Sequence, residues 1–371
     1  MVKSIYTFID TPSLLIDEDI MIENLKAMQA KADYLGVALR PHTKTHKMPY
    51  IAKLQLQYGA KGITVAKTGE AEVMADAGIK DIFIANEIVG EMKWKRLAAL
   101  SKRIKISFGA DSAEAIRGIE KVFATENATA VIRVEVETGE KRSGVTCDEQ
   151  FTAILQALKE CPHVELEGVF SHEGHAYGAP TVAACREIFV KGQEITLHFA
   201  NMAKEAGFPI RVVSIGSTPS LMHNDAVLPG ITEIRPGTYV LMDVGQGNCI
   251  GTYEHCAATV LTTVISKPAA DRVIGDAGAK ALTAQSRGAG LCHTVGKGYI
   301  KNSAGIYVDN VFDEHTIINS AKLHDMVNIG DKIEIIPNHI CPCVNLYDQA
   351  YLVKAGKVVD ILPVSSRGKI W

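Results

Sequence analysis

Between residues 20 and 237 the chain repeats one pattern eight times: a short β-branched apolar run, then a stretch with helical spacing. The strand candidates are residues 37–40, 62–66, 81–86, 104–109, 128–137, 164–171, 210–216 and 232–235. Strands alternating with helices predict parallel strands joined by crossover helices. Eight such units in about 220 residues fit an α/β chain folded as a closed (β/α)8 barrel of TIM type better than an open sheet. Ahead of the first unit, residues 19–36 carry Ile20, Ile22, Leu25, Met28 and Ala32 at helical spacing and stop at Gly36, which predicts one more helix.

After Gly237 the texture changes to β-branched runs at 258–265, 297–300, 316–318 and 332–336, separated by Gly, Asn and Asp turns. These predict a C-terminal, mainly-β domain. The β-prone run 5–16 precedes the first helix and is placed to pair with that sheet. The expected boundaries are therefore 18–238 for the barrel and 239–371, together with 1–17, for the β domain.

The formal charge of −3 comes with no basic patch, which excludes the electrostatic footprint of nucleic-acid binding. No stretch reaches membrane-spanning length, and the first residues lack the apolar core of a signal peptide, so a cytoplasmic protein is expected, with no membrane partner. Eight cysteines scattered over a chain of this size read as free thiols or metal ligands rather than a disulfide framework.

Three segments carry chemistry. The first is VALRPHTKTHK at 37–47, which leaves the first barrel strand at its C-terminal end, where barrel enzymes place catalysis. Pro41 holds Arg40 extended. If the extension continues, Arg40, His42, Lys44 and His46 share one face, and Lys44 sits among cations that lower its pKa, as an amine nucleophile requires. A lysine in such a loop is otherwise a solvated surface charge.

The second is IIPNHICPCVNL at 335–346, where His339, Cys341 and Cys343 alternate and fall on one side of an extended chain. His339 and Cys341 suit a borderline-soft divalent ion in a site with open positions, while Cys343 reads as a packed thiol. The third is VVSIGSTPS at 212–220, an apolar strand breaking into Gly216, Ser217 and Thr218 before a helix. Its backbone amides form either a phosphate nest or a plain helix cap. Tyr239, in the RPGTY turn at 235–239, either joins that phosphate site or belongs to a β-turn. The loops at 137–144 and 171–177 add Arg142 as a partner for an anionic oxygen and His172, His175 and Tyr177 as acid–base candidates. His163, His198 and His324 read as surface or structural residues.

Taken in order, RPHTKTHK, GSTPS, RPGTY and PNHICPCVNLYD resemble the D-serine dehydratase and D-threonine aldolase family, over nearly the whole chain. The resemblance implies an alanine-racemase-like barrel with a C-terminal β domain, working as a homodimer. It implies pyridoxal 5'-phosphate joined to Lys44, with Lys47 the lesser candidate, and Arg142 on the cofactor's phenolic oxygen. Gly216, Ser217, Thr218 and Tyr239 would hold the phosphate. His339 and Cys341 would hold a divalent metal, zinc first, with manganese or magnesium as alternatives. The expected activity is dehydration of D-serine, or of a related β-hydroxy D-amino acid, to a 2-oxo acid and ammonia, because dehydratases of the family carry His-x-Cys and aldolases tend to His-x-Asp. The alternatives are a D-threonine aldolase releasing glycine and an aldehyde, in which His172 or His175 is the base, and a protein that binds the cofactor without turnover.

Overall fold

The computed structural model describes residues 2–371. The helix Glu18–Leu35 begins where the Asp17 carboxylate accepts from Ile20 N at 3.1 Å, and it ends at Gly36, whose φ of 68° is one that a side chain would strain. Eight parallel strands follow: Ala38–Leu39, Ile63–Val65, Asp81–Glu87, Lys105–Ala110, Ala130–Val136, Val164–Ser171, Val212–Ile215 and Glu233–Ile234. Each overlaps its expected run. From the second to the eighth, each strand pairs with its sequence neighbour, and the eighth pairs with the first in the register Ala38 to Glu233 and Leu39 to Ile234. The ring closes between the first and second strands through Thr64 N donating to Pro41 O at 2.8 Å and Lys61 N to Leu39 O at 2.9 Å. Gly168 makes one tight contact possible, because a Cβ there would stand 1.9 Å from Val212 O of the next strand.

The barrel interior holds charge as well as the usual apolar layers. Glu233 accepts from Arg40 Nε at 2.7 Å and from Arg133 NH1 at 2.6 Å, and Arg133 Nε reaches Glu167 at 2.8 Å. Arg40 NH1 also meets Asp81 at 2.6 Å, and the Arg133 guanidinium lies 4.1 Å from the Phe83 ring centre. Both arginines are 1% exposed. Every charge in this set has an opposite partner, the condition under which buried ions persist.

The remaining strands form a second, nine-stranded sheet built around Ala258–Ala269, which pairs with Ser13–Asp17, Arg272–Gly275 and Lys332–Pro337. The expected union of the N-terminal run with this sheet is seen at Ser13–Asp17, which lies antiparallel to Ala258–Ala269 and parallel to Gln349–Lys354. Residues 5–12 form no strand. The sequence pattern did not anticipate the hairpin Gln349–Lys354 with Lys357–Pro363, or the helix Val244–Ile250.

Two local expectations are corrected. Residues 43–45 form a 3-10 turn, so the extended chain ends at His42 and the face shared by Arg40, His42, Lys44 and His46 does not exist. Arg40 points into the barrel toward Glu233, and His46 is fully buried with Nε2 3.4 Å from Gln55. Residues 340–344 are likewise helical rather than extended, because Asp243 Oδ2 accepts from Ile340 N at 3.1 Å and caps the turn. Cys341 and Cys343 therefore diverge, and Cys343 is fully buried with its thiol donating to Ala281 O at 3.3 Å. His163, His198 and His324 pair with Glu120, Asp148 and Asp325, consistent with structural roles.

Candidate active site

A cavity opens at the C-terminal ends of the barrel strands, and its wall brings together Lys44, Arg142, His172, Tyr177, Gly216, Ser217 and Thr218. The 3-10 turn after the first strand presents Lys44, with His42 Nδ1 3.4 Å from Lys44 N. Burial lowers the Lys44 pKa, and Arg142 adds to the effect; Cys341, Glu70 and Glu140 oppose it. The cluster expected from an extended chain is thus replaced by one cation from another loop. Lys47, three residues on, is a different object: its Nζ lies 2.5 Å from Glu70 Oε1 and its φ is 57°. That ion pair holds the Lys47 side chain out of the cavity.

Arg142 reaches Glu135 at 3.5 Å and Glu140 at 3.3 Å. His172 Nδ1 lies 3.2 Å from Gly216 O, which fixes a tautomer with the proton on Nδ1 and leaves Nε2 as a free base. Burial, with Lys44 and Arg142 nearby, holds its pKa well below the ordinary histidine value, so the ring is neutral. The Tyr177 ring carries the Arg287 guanidinium 4.4 Å from its centre, and burial raises the phenol pKa.

Two predicted residues stand elsewhere. His175 lies against the 137–144 loop, where a Cβ on Gly139 would be 2.9 Å from its Nε2, and it does not line the cavity. The Tyr239 hydroxyl accepts from Gln55 Nε2 at 3.2 Å, and the ring borders a separate pocket with Asn24 and Met28. Placing Tyr239 on the phosphate is therefore corrected: the 3-10 turn Thr238–Val240 aims Thr238 at the cavity and Tyr239 away from it.

The residues present fit pyridoxal phosphate. Thr218 is 1% exposed, its Oγ1 has no hydrogen-bond partner, and it lines the cavity with Ser217 and with Gly216, whose φ is 115°. An unpartnered buried hydroxyl is costly unless a ligand completes it. Lys44 makes no ion pair among the described residues, which leaves its amine available to a carbonyl.

The two residues that the sequence offers as metal donors lie near this cavity. Cys341 Sγ lies 3.3 Å from Thr45 Oγ1 and 3.9 Å from Thr238 Oγ1. His339 Nδ1 is 3.1 Å from Gln285 Oε1, so Nδ1 donates and Nε2 keeps a lone pair for a metal. Burial holds the ring neutral, with a pKa of about 4. Among the described residues no group of three or more His, Cys, Asp or Glu side chains converges on a metal position, and His339 and Cys341 are the candidate donors. Arg235, Asp243 and Gln285 were missed by sequence reasoning. Arg235 donates to Ser214 Oγ at 2.6 Å and Ser171 O at 2.5 Å and reaches the cavity wall. The RPGTY motif contained it, but nothing marked the arginine above the tyrosine.

Comparison with known proteins shows the family and the fold. Residues 16–244 match the alanine racemase N-terminal domain and residues 257–353 a putative serine dehydratase domain. A D-threonine aldolase from Arthrobacter sp. is 35% identical over 97% of this chain and 93% of its own length. A D-threo-3-hydroxyaspartate dehydratase from Delftia sp. (strain HT23) is 31% identical over 90% of this chain and 91% of its own. Its solved structure superposes with a TM-score of 0.90, covering 97% of this chain and 98% of that one. A D-serine dehydratase from Dictyostelium discoideum is 28% identical over 93% of both chains. One solved D-threo-3-hydroxyaspartate dehydratase is a cysteine-to-alanine mutant in the metal-free form. No helix here is long and apolar enough to cross a membrane among the described residues.

Proposed function

Because the chain belongs to the family that joins an alanine racemase-type barrel to a serine dehydratase domain, we propose that it is a pyridoxal phosphate- and metal-dependent lyase of a β-hydroxy D-amino acid. Dehydration of D-serine to pyruvate and ammonia is the leading reaction. When bound, the cofactor supplies an electron sink and the metal a Lewis acid for the β-hydroxyl. Everything else falls to the side chains. Lys44 would hold the cofactor carbonyl and would take the α proton; burial and Arg142 lower the pKa of its amine, which favours the neutral form that this role needs. Gly216, Ser217 and Thr218 hold the phosphate, and Arg142 with Tyr177 orients the ring. His339 and Cys341 hold the metal, zinc by donor chemistry, with manganese or magnesium as the alternatives.

The observation that carries the reading is the meeting, in one cavity, of an unpaired, half-buried lysine with an unpartnered threonine hydroxyl, bordered by a His and Cys pair. Cys341 favours dehydration. A second reading, aldol cleavage to glycine and an aldehyde, rests on His172, a neutral imidazole in the cavity placed to deprotonate the β-hydroxyl. Eight free cysteines accord with a cytoplasmic setting, and a homodimer with the family.

The test is a product assay on the purified chain loaded with pyridoxal phosphate and zinc, offered D-serine and D-threonine. Ammonia with a 2-oxo acid supports the dehydratase. Glycine with an aldehyde replaces it by the aldolase, and absence of turnover on every D-amino acid tried leaves only a cofactor-binding protein.

A further inference from the structure

Two cysteines without a place in the lyase reading meet where the helix Val244–Ile250 packs against the 284–296 loop. Cys249 lies in the helix, 5% exposed, and Cys292 in the loop, fully buried; both are free thiols. Cys249 Sγ is 3.3 Å from His223 Nε2, which is also 3.1 Å from the Cys249 carbonyl, so an Nε2 proton is shared between oxygen and sulfur. Gln246 Nε2, one helical turn before Cys249, reaches toward Cys292 Sγ at 4.0 Å, and Asn248 Nδ2 donates to His293 O at 2.5 Å, so the residues flanking the two cysteines are in contact. The nearness of Cys292, with His223 beside the sulfur, brings the Cys249 thiol down to about 7 against the opposing effect of burial, while Cys292 is pushed up. A stabilised thiolate beside a protonated thiol is the arrangement of an attacking sulfur and its resolving partner. The other thiols differ: burial raises Cys256, Cys341 and Cys343.

We propose that Cys249 and Cys292 are a redox-active pair that hydrogen peroxide converts to a disulfide, and that this bond lowers turnover at the cavity. The Cys249 thiolate attacks one peroxide oxygen; the O–O bond breaks, the departing hydroxide takes a proton to leave as water, and Cys249 becomes a sulfenic acid. Cys292 then gives up its proton and attacks the Cys249 sulfur, the S–O bond breaks, and a second water leaves. Two thiols and one peroxide give one disulfide and two waters; the sulfurs lose two electrons and the peroxide gains them.

The coupling to the cavity follows from what each segment holds. The 284–296 loop carries Gln285, which orients His339, and Arg287, which covers Tyr177. Cys292 N donates to Tyr177 O at 3.2 Å, so the thiol loop is tied to the backbone of a cavity residue. The helix begins at Asp243, whose second oxygen caps the turn bearing Cys341. Joining Cys249 to Cys292 draws the two segments together and moves both supports.

The experiment treats the pyridoxal phosphate- and zinc-loaded full chain with graded hydrogen peroxide, alkylates the remaining thiols and maps peptides by mass spectrometry alongside turnover. The first product expected is a peptide pair joining Cys249 to Cys292, lighter by two hydrogens and restored by dithiothreitol, rising in step with at least a severalfold fall in turnover. Cys249→Ser and Cys249→Ala, two replacements of different polarity, keep untreated turnover and lose both responses. In Cys292→Ser, Cys249 accumulates as its sulfenic or sulfinic acid. Recovery of Cys249 as alkylated thiol after Cys147 or Cys341 has been oxidised overturns the proposal, as does an equal fall in turnover in the Cys249 variants.

Discussion

Lys47 Nζ stands 2.5 Å from Glu70 Oε1, and this ion pair separates two lysines that the sequence sets only three positions apart. Lys47 is bound in structure, while Lys44 faces the cavity without a carboxylate partner. Replacing Lys44 by Ala is expected to lower turnover by at least about a thousandfold and to abolish the visible absorbance of bound cofactor, with little change in melting temperature. Replacing Lys47 by Ala leaves Glu70 as a buried, uncompensated charge and should cost about 3–5 kcal/mol of stability. Absorbance spectra and thermal melts on the two variants check both. Loss of cofactor from the Lys47 variant at a temperature where it remains folded would reverse the assignment.

Phosphate binding should depend on Thr218 and not on Tyr239. Thr218→Val removes the unpartnered hydroxyl and is expected to weaken cofactor affinity by about 1–2 kcal/mol, roughly five- to thirtyfold. Tyr239→Phe removes a hydroxyl held by Gln55 and should leave affinity unchanged while lowering stability slightly. Titration of the stripped protein with pyridoxal phosphate distinguishes them.

Metal content should follow His339 and its support. Cys341→Ser and His339→Ala are each expected to strip the bound metal on dialysis, whereas Gln285→Ala retains it with about 10- to 100-fold lower affinity, because only the orientation of the imidazole is lost. Elemental analysis after dialysis against graded chelator gives the order.

Acid stability should report the charged barrel interior. The pKa values of Glu233 and Glu167 are held below the ordinary carboxylate value by the arginines beside them, although burial pushes the other way. A carboxylate whose folded pKa is depressed contributes stability above its unfolded pKa, near 4.5, and loses that contribution as pH falls toward the folded value. Melting temperature should therefore hold near neutral pH and drop steeply below about pH 4.5. Glu233→Gln should be less stable at pH 7 and show a shallower acid slope. Parallel slopes in variant and parent would assign the acid transition to other groups.

Much of the barrel was legible because each strand and helix declares itself through its own residues: the apolar run at 164–171 reads as a strand whatever surrounds it, and Asp17 and Gly36 mark the ends of one helix locally. Lys44 was legible for the same reason, as a polar residue just past a strand end. What escaped depends on contacts far along the chain. Arg40 looks like a neighbour of Lys44 until Glu233, nearly two hundred positions away, draws it into the barrel. The turn at 340–344 looks extended until Asp243 caps it, and Gln285 gains a role only when folding brings it to His339. Tyr239 failed for a narrower reason: one residue of shift in a tight turn exchanges which side chain meets the cavity.

The strand Ser13–Asp17, lying between Ala258–Ala269 and Gln349–Lys354, has a consequence for assembly on the ribosome. During synthesis the barrel can close as its eighth strand emerges, but this early strand must wait, unpaired at both edges, for partners made more than two hundred residues later. The β domain thus completes after the barrel, so that deleting Gln349–Lys354, or pausing before it is made, should leave a formed barrel with an open, aggregation-prone strand edge.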